Sequence, residues 1–186
     1  MLYSRSVWGE VRVLIDLSRV ESEPLRFAEQ LTLDPETIDP DRVVGPVEVC
    51  LEGLVTRSAT GVTASGRCEA HARLACTRCL APIEWSNADA FDVELRSNAD
   101  GPTDEDVGLD ETEMDVIFLD DDRFDTTDLA AEQVLLALPM RLVCRDDCAG
   151  LCPRCGADLN QEGACTCEPE ADPRWEALRN LSGGGS

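Results

Sequence analysis

Eight of the ten cysteines in this 186-residue chain fall in four close pairs: Cys76 with Cys79, Cys144 with Cys148, Cys152 with Cys155, and Cys165 with Cys167. No other feature constrains the fold as tightly. The stretch from Cys144 to Cys167 carries six of them but chiefly Leu151 and Leu159 as large apolar side chains, so it cannot build a hydrophobic core of its own. Something other than burial must organise it. Two thiolates two residues apart can bind one metal ion from a tight turn. In Cys152-Pro153-Arg154-Cys155-Gly156 the proline restricts that turn and the glycine admits a positive φ, whereas Cys76-Thr77-Arg78-Cys79-Leu80 lacks the glycine and predicts a poorer turn. His71 is the sole histidine, so no multi-histidine site exists and the ligands are sulfur.

Eight paired thiols equal two tetrahedral sites of four, the arrangement that structural zinc takes. One partition groups Cys152, Cys155, Cys165 and Cys167, because the nine-residue segment between Cys155 and Cys165 closes at little loop entropy. Cys76, Cys79, Cys144 and Cys148 are then the second site. The rival joins Cys144, Cys148, Cys152 and Cys155 and leaves Cys76 and Cys79 to Cys165 and Cys167; spacing alone leaves both open, with the first favoured. Structural zinc contributes on the order of 10 kcal/mol or more to small finger peptides, ample to order such a segment. Arg78, Arg145 and Arg154 stand where they would moderate the excess negative charge. Cys76 and Cys79 alone would also suit thiol–disulfide chemistry or a redox-sensitive zinc switch. A thioredoxin-type pair needs its first cysteine at a helix start, however, and Pro82 with the flanking strand patterns places this pair in a turn. Cys50 stays single, and Cys68 reads as a core thiol.

The rest of the chain predicts an α+β protein, an antiparallel β-sheet meander packed by one α-helix and followed by a cysteine-rich zinc ribbon. Alternating apolar residues mark strands over residues 10–17, 43–56, 62–74 and 83–97. Residues 18–40, with Pro24, Pro35 and Pro40, predict a connection holding one short strand near Phe27 to Leu33. An acidic loop spans about residues 99–113; Val116 to Leu119 is a short strand, Asp120 to Asp122 a turn, and Phe124 the start of the return. Thr127 to Leu138 reads as a largely buried helix through Leu129, Val134, Leu135 and Leu138, ended by Pro139. Asp172 and Pro173 announce a short helix through Trp175, Leu178 and Leu181. The expected division is residues 1–143 for the β domain with its helix, 144–181 for the ribbon and final helix, and 182–186 for a flexible tail.

Net charge is −22, with sixteen arginines, no lysine and 38 carboxylates, which excludes a generic polyanion-binding surface. Arg67, His71, Arg73 and Arg78 form a small cationic strip that could touch RNA phosphates locally; a solvated sheet face is the plainer reading. No phosphate loop, dinucleotide fingerprint or nucleophile elbow appears, and the aspartates at 120–122 read as a solvated turn, so no catalysis is assigned. Met1 to Glu10 has no signal-peptide character and no run approaches a membrane span, so the expected location is the cytoplasm, where close thiols are metal ligands more often than disulfides.

Cys76-Thr77-Arg78-Cys79, a later helix ending Leu138-Pro139, and then Cys144 and Cys148 come in an order that resembles the YceD family of bacterial large-subunit ribosomal RNA accumulation proteins. Gly150 to Asn160, Cys165-Thr166-Cys167 and Asp172-Pro173-Arg174-Trp175 resemble its longer, cysteine-rich members. The resemblance implies a non-catalytic role in 23S rRNA accumulation and large-subunit biogenesis, through either a basic large-subunit ribosomal protein or the rRNA precursor, and no small-molecule substrate. In that family the C-x-x-C turn recurs together with the positions here held by Cys144 and Cys148, which implies a shared metal site.

Overall fold

The computed structural model describes residues 13–20, 23–58, 61–97, 116–119, 122–161, 163 and 165–167. The predicted acidic loop and the helix expected after Pro173 lie outside the described residues. The main sheet has five strands in the order β2 (Leu25–Leu33), β3 (Val47–Arg57), β4 (Val62–Ala75), β5 (Pro82–Ser97) and β6 (Val116–Leu119). The first four make an antiparallel meander, but β6 lies parallel to β5. The sheet is therefore mixed rather than purely antiparallel. Ser97 and Val116 are far enough apart in the chain for the crossover that a parallel neighbour needs.

The short strand expected near Phe27 to Leu33 is β2, which starts two residues earlier, runs for nine residues and forms an edge of the sheet. Its prolines punctuate rather than disrupt. Pro24 precedes the strand, and Pro35 sits in the first turn of the short helix α1 (Pro35–Ile38), whose N-cap Asp34 accepts from the Glu36 amide at 2.9 Å. The alternation in residues 10–17 yields only β1 (Leu14–Asp16) among the described residues, followed by a 3₁₀ turn at Leu17–Arg19. Ile15 and Leu17 are buried and Leu14 is exposed, as the period demands. β1 pairs with β7 (Arg123–Asp125) in a separate two-stranded sheet. Arg57 fastens this unit to the end of β3 by donating to the Leu17 and Val20 carbonyls at 2.7 and 2.8 Å.

The core lies between the inner face of the meander and helix α2 (Thr126–Ala137). One row of the sheet reads Phe27, Gly53, Gly66, Phe91 across four strands. The two glycines leave space that the flanking rings fill: a methyl on Gly53 would sit 2.7 Å from Phe27 Cζ, and one on Gly66 would sit 2.8 Å from Phe91 Cζ while striking the Glu52 carbonyl oxygen. Phe124 of β7 then packs edge-on against Phe27, with centroids 6.4 Å apart, and joins the small sheet to the large one.

Helix α2 starts at Asp125, whose carboxylate accepts from the Thr127 amide at 2.9 Å. Thr126, Leu129, Ala130 and Val134 form its buried stripe. Leu135, read from sequence as part of that stripe, is 48% exposed, and Leu136 is 73% exposed, because both fall outside the three-and-four spacing that faces the sheet. Beneath the helix start lies Glu29, which points inward from β2. Both its carboxylate oxygens accept from the Thr126 hydroxyl, at 2.9 and 3.0 Å. Burial raises its pKa above the ordinary 4.5, outweighing that hydrogen bond, and Asp125 adds to the rise.

Two predictions follow from this packing. Gly66→Ala should cost about 1–3 kcal/mol, seen as a lower urea midpoint, because neither the Glu52 backbone nor the Phe91 ring has room to give. For Glu29 the folded-state pKa exceeds the unfolded one, so its contribution is fully favourable below about the ordinary value of 4.5 and is lost as pH rises through the folded-state value. Glu29→Gln should accordingly exceed the wild type in stability at pH 7, with the gap closing as pH falls toward 4.5. A gap independent of pH would show that the carboxylate is not the cause.

Candidate metal centres

The turn from β4 into β5 is built on Cys76. Its amide donates to the Ala81 carbonyl at 2.8 Å, its own carbonyl accepts from Leu80 N at 2.9 Å, and the Arg78 amide points at its sulfur at 3.5 Å. The same turn recurs at Cys152, whose amide donates to Ala157 O at 2.8 Å, whose carbonyl accepts from Gly156 N at 2.9 Å, and whose sulfur receives the Arg154 amide at 3.5 Å. At the fifth position the backbone is left-handed in both, with φ +61° at Leu80 and +72° at Gly156. The missing glycine therefore does not prevent the first turn. Leu80 adopts the strained conformation with its side chain 60% exposed.

These turns assemble two groups of four sulfurs. In the inner centre Cys76, Cys79, Cys144 and Cys148 converge, with Cys76 Sγ 3.9 Å from Cys148 Sγ and Cys79 Sγ 3.6 Å from Cys144 Sγ. In the outer centre Cys152, Cys155, Cys165 and Cys167 converge, with Cys152 and Cys165 sulfurs 3.3 Å apart. Within each centre the four sulfurs lie within 4.8 Å of one another, so either could hold one metal ion. Of the two partitions that spacing left open, this is the first. It brings a turn of the sheet and the segment after α2 to one point. The pair Cys76 and Cys79 lies in a strand-to-strand turn beside two further thiols, not at a helix start.

The local electrostatics divide each centre. At Cys76 burial pushes the pKa up, but the amides of Cys79, Arg78 and Cys144 outweigh it and bring the thiol down to about 6. Amides of Cys155 and Arg154 bring Cys152 to about 6 as well. Cys144, by contrast, is pushed up to about 12 by burial and by the neighbouring thiols, and Cys167 to about 12, first by Cys155 and then by burial. Without a cation a thiolate at Cys76 or Cys152 disfavours charge on Cys144 or Cys167 beside it.

Several residues brace the inner centre that the sequence reading gave no role. Thr77 donates to the Leu142 carbonyl through its amide and its hydroxyl, at 2.8 and 3.0 Å. Asn160, from the outer loop, donates to Cys148 Sγ at 3.6 Å. A polar residue amid paired cysteines was the only signal for it. Arg78 and Arg145, expected near the thiolates, are near but turned to oxygen: Arg78 donates to the Cys148 carbonyl at 2.8 Å, and Arg145 lies 3.2 Å from the Asp147 carboxylate.

Arg67, His71 and Arg73 share the outer face of β4, opposite Glu52 and Glu48 on β3 and Glu84 on β5, and Arg67 pairs with Glu69 at 2.9 Å. Arg78 lies apart from them in the inner turn. Cys50 is exposed on that outer face, while Cys68 is buried beneath the sheet and raised to about 11 by burial. No helix among the described residues is long and apolar enough to cross a membrane.

A mixed sheet with one packed helix and two four-thiol centres defines a protein organised around clustered cysteines. Residues 64–182, which take in all eight paired cysteines, match the family described as large ribosomal RNA subunit accumulation protein YceD, and the chain belongs to the YceD family. Uncharacterised proteins of Mycobacterium tuberculosis and Mycobacterium bovis are 37% identical over 123 residues, 66% of this chain and 56% of theirs. The chain thus spans little more than half the length of these relatives. A maize protein named as a chloroplastic large ribosomal RNA subunit accumulation protein YCED homolog is 37% identical over 49 residues, 26% of this chain and 17% of its own. No solved structure matches.

The left-handed Leu80 yields a prediction. Leu80→Gly should raise stability by about 0.5–1 kcal/mol, the αL penalty less the entropy of glycine. Leu80→Val should lower it, since a β-branched side chain tolerates that region least. Thermal unfolding midpoints ordered Gly, Leu, Val from high to low are the expected outcome; the reverse order would mean the turn is held differently.

Proposed function

We propose that this protein is a non-catalytic ribosome-biogenesis factor that supports 23S rRNA accumulation and large-subunit assembly in the cytoplasm, and that two structural zinc ions complete its fold. The single observation that carries this reading is the convergence of eight thiols into two four-sulfur centres within the stretch that matches the family. An ion with thiolate arms of about 2.3 Å sets tetrahedral sulfur–sulfur edges of about 3.8 Å, and the separations of 3.3, 3.6 and 3.9 Å scatter around that edge. Cys76, Cys79, Cys144 and Cys148 would hold one ion; Cys152, Cys155, Cys165 and Cys167 would hold the other. Zinc supplies charge compensation and cross-linking rather than chemistry, because each set of four sulfurs fills a tetrahedron and leaves no position for a substrate.

On this reading residues 1–143 are the β domain and 144–181 a zinc ribbon with its helix, with the inner ion clamping one to the other. The partner is a basic large-subunit ribosomal protein, which a net charge of −22 complements. The glutamates interleaved with Arg67, His71 and Arg73 support a protein partner over RNA phosphates, and the guanidinium of Arg78 is engaged by backbone carbonyls.

Metal analysis of protein purified without chelator should give two zinc ions per chain, and Cys148→Ser should lose at least one with a collapse of stability. Near-zero zinc with freely titrating thiols would remove the metal reading. In cells, depletion should reduce large subunits and their rRNA. Cys68→Ser should restore them and Cys148→Ser should not. Large-subunit protein that co-purifies after nuclease treatment supports the protein partner; its complete loss supports RNA.

A further inference from the structure

Asn160 belongs by sequence to the loop that the outer centre closes, five residues before Cys165, yet its side chain serves the inner centre. Its Nδ2 donates to Cys148 Sγ at 3.6 Å and to Asp158 Oδ1 at 2.8 Å. Its Oδ1 accepts from the Ala149 amide and from Arg145 Nη2, both at 2.8 Å. One carboxamide therefore holds the backbone just after Cys148 with its oxygen and addresses the sulfur with its nitrogen.

A second connection runs through the backbone. Leu151 N donates to Arg78 O inside the inner turn at 3.0 Å, Leu151 and Asp158 form a β-bridge, and Leu159 N returns to Gly150 O at 3.0 Å. This short ladder carries the chain from the inner turn to Asn160. Beyond it the loop has little apolar material, and the described residues from Ala157 to Asn160 are only half-buried. Closure of the outer four sulfurs around an ion would restrain the loop, and so the carboxamide, from the far side.

We propose that the two centres are coupled: a metal ion in the outer centre strengthens the hold of the inner centre on its own ion, and Asn160 is the positioning residue that transmits the effect. This rests on the metal reading above. A donor to a coordinated thiolate must be oriented to be useful, and here the orientation is set by a loop that another ion closes. Reciprocity then requires the inner ion to strengthen the outer one by the same factor. The β4–β5 turn and the C-terminal segment would join as one cooperative unit rather than in two independent steps.

The test uses the full chain with zinc, a chromophoric chelator as competitor, and cobalt as a spectroscopic substitute. Disabling the outer centre with Cys165→Ser and Cys167→Ser should leave one zinc per chain, held about tenfold more weakly than the inner zinc of the wild type. Asn160→Ala should keep two zinc ions but weaken the inner one by a similar factor and shift its thiolate-to-cobalt charge-transfer band. Combining these changes should add nothing further. Asn160→Asp, which keeps the acceptor for Ala149 and Arg145 but cannot donate to sulfur, should weaken the inner ion as alanine does. Full affinity in Asn160→Asp, an inner ion indifferent to loss of the outer centre, or factors that multiply would each overturn the coupling. A wild type that binds two ions under any of these results keeps the metal reading intact, whereas a wild type that binds none ends both.

Discussion

Four sulfur atoms within 4.8 Å of one another cannot all carry charge unless a cation sits among them. This repulsion governs the C-terminal part of the molecule. In each centre one thiol is drawn down to about 6 by backbone amides while another is driven to about 12, so the protein alone favours charge on one sulfur and opposes it on another. Most of the amides that lower Cys76 and Cys152 belong to the turns themselves, the Arg78 and Arg154 N–H groups among them, while Cys144 N–H adds to Cys76 from beyond its turn. Each turn thus prepares one sulfur as a ligand for an ion of the kind proposed. With an ion in place, a segment with so little to bury would gain the order that a hydrophobic core gives elsewhere.

The two turns are alike in hydrogen bonding but not in surroundings. The inner one is the tip of a long hairpin whose strands are packed beneath α2, so Cys76 is fully buried and its position is determined by the sheet. The outer one hangs on the inner through the Arg78 carbonyl and Asn160. Rigidity therefore descends from the sheet core, where the Phe27 and Phe91 rings close over a glycine pair, to the hairpin tip, and from there to the loop. Glu29 is the exception inside that core, a carboxylate kept at the α2 start by the Thr126 hydroxyl at a cost that burial makes visible.

Much of this was legible in the chain itself. The strands β3, β4 and β5 announce themselves because one face packs and the other is wet; in β4, for example, Cys68, Ala70, Ala72 and Leu74 face the core while Arg67, Glu69, His71 and Arg73 face solvent. The first two residues of β2, Leu25 and Arg26, were hidden because Pro24 directly before them reads as a break, and a strand begins at once after it. Leu135 misled because it follows the buried Val134 and stands three residues before the buried Leu138, although the turn of the helix carries it away from the sheet. The parallel placement of β6 depends on a crossover whose path no local pattern encodes. For the cysteines, spacing identified the turns but not their partners: the choice between partitions depends on where α2 returns the chain, and that is a property of the packed core. Asn160 carried only the weak signal of a polar residue amid cysteines, because its role exists only once both loops are folded against each other.

The outer face of the sheet connects these points to the proposed role. Arg67, His71 and Arg73 form a row on β4, but the strands on either side answer it with Glu52, Glu48 and Glu84, and Arg67 is already paired with Glu69. A phosphate approaching that row would meet carboxylates at cross-strand distance, about 5 Å away, where their repulsion offsets much of the attraction of an exposed guanidinium. A cationic protein segment meets the opposite balance. It can engage Glu48, Glu52 and Glu84 and leave Arg67 to the pair it already has with Glu69. The excess of carboxylates over arginines in the whole chain extends the same preference to longer range, and under the proposed role it would guide a basic partner inward. On that view the sulfur centres give the C-terminal segment its shape, and the charge on the chain selects what that shape meets.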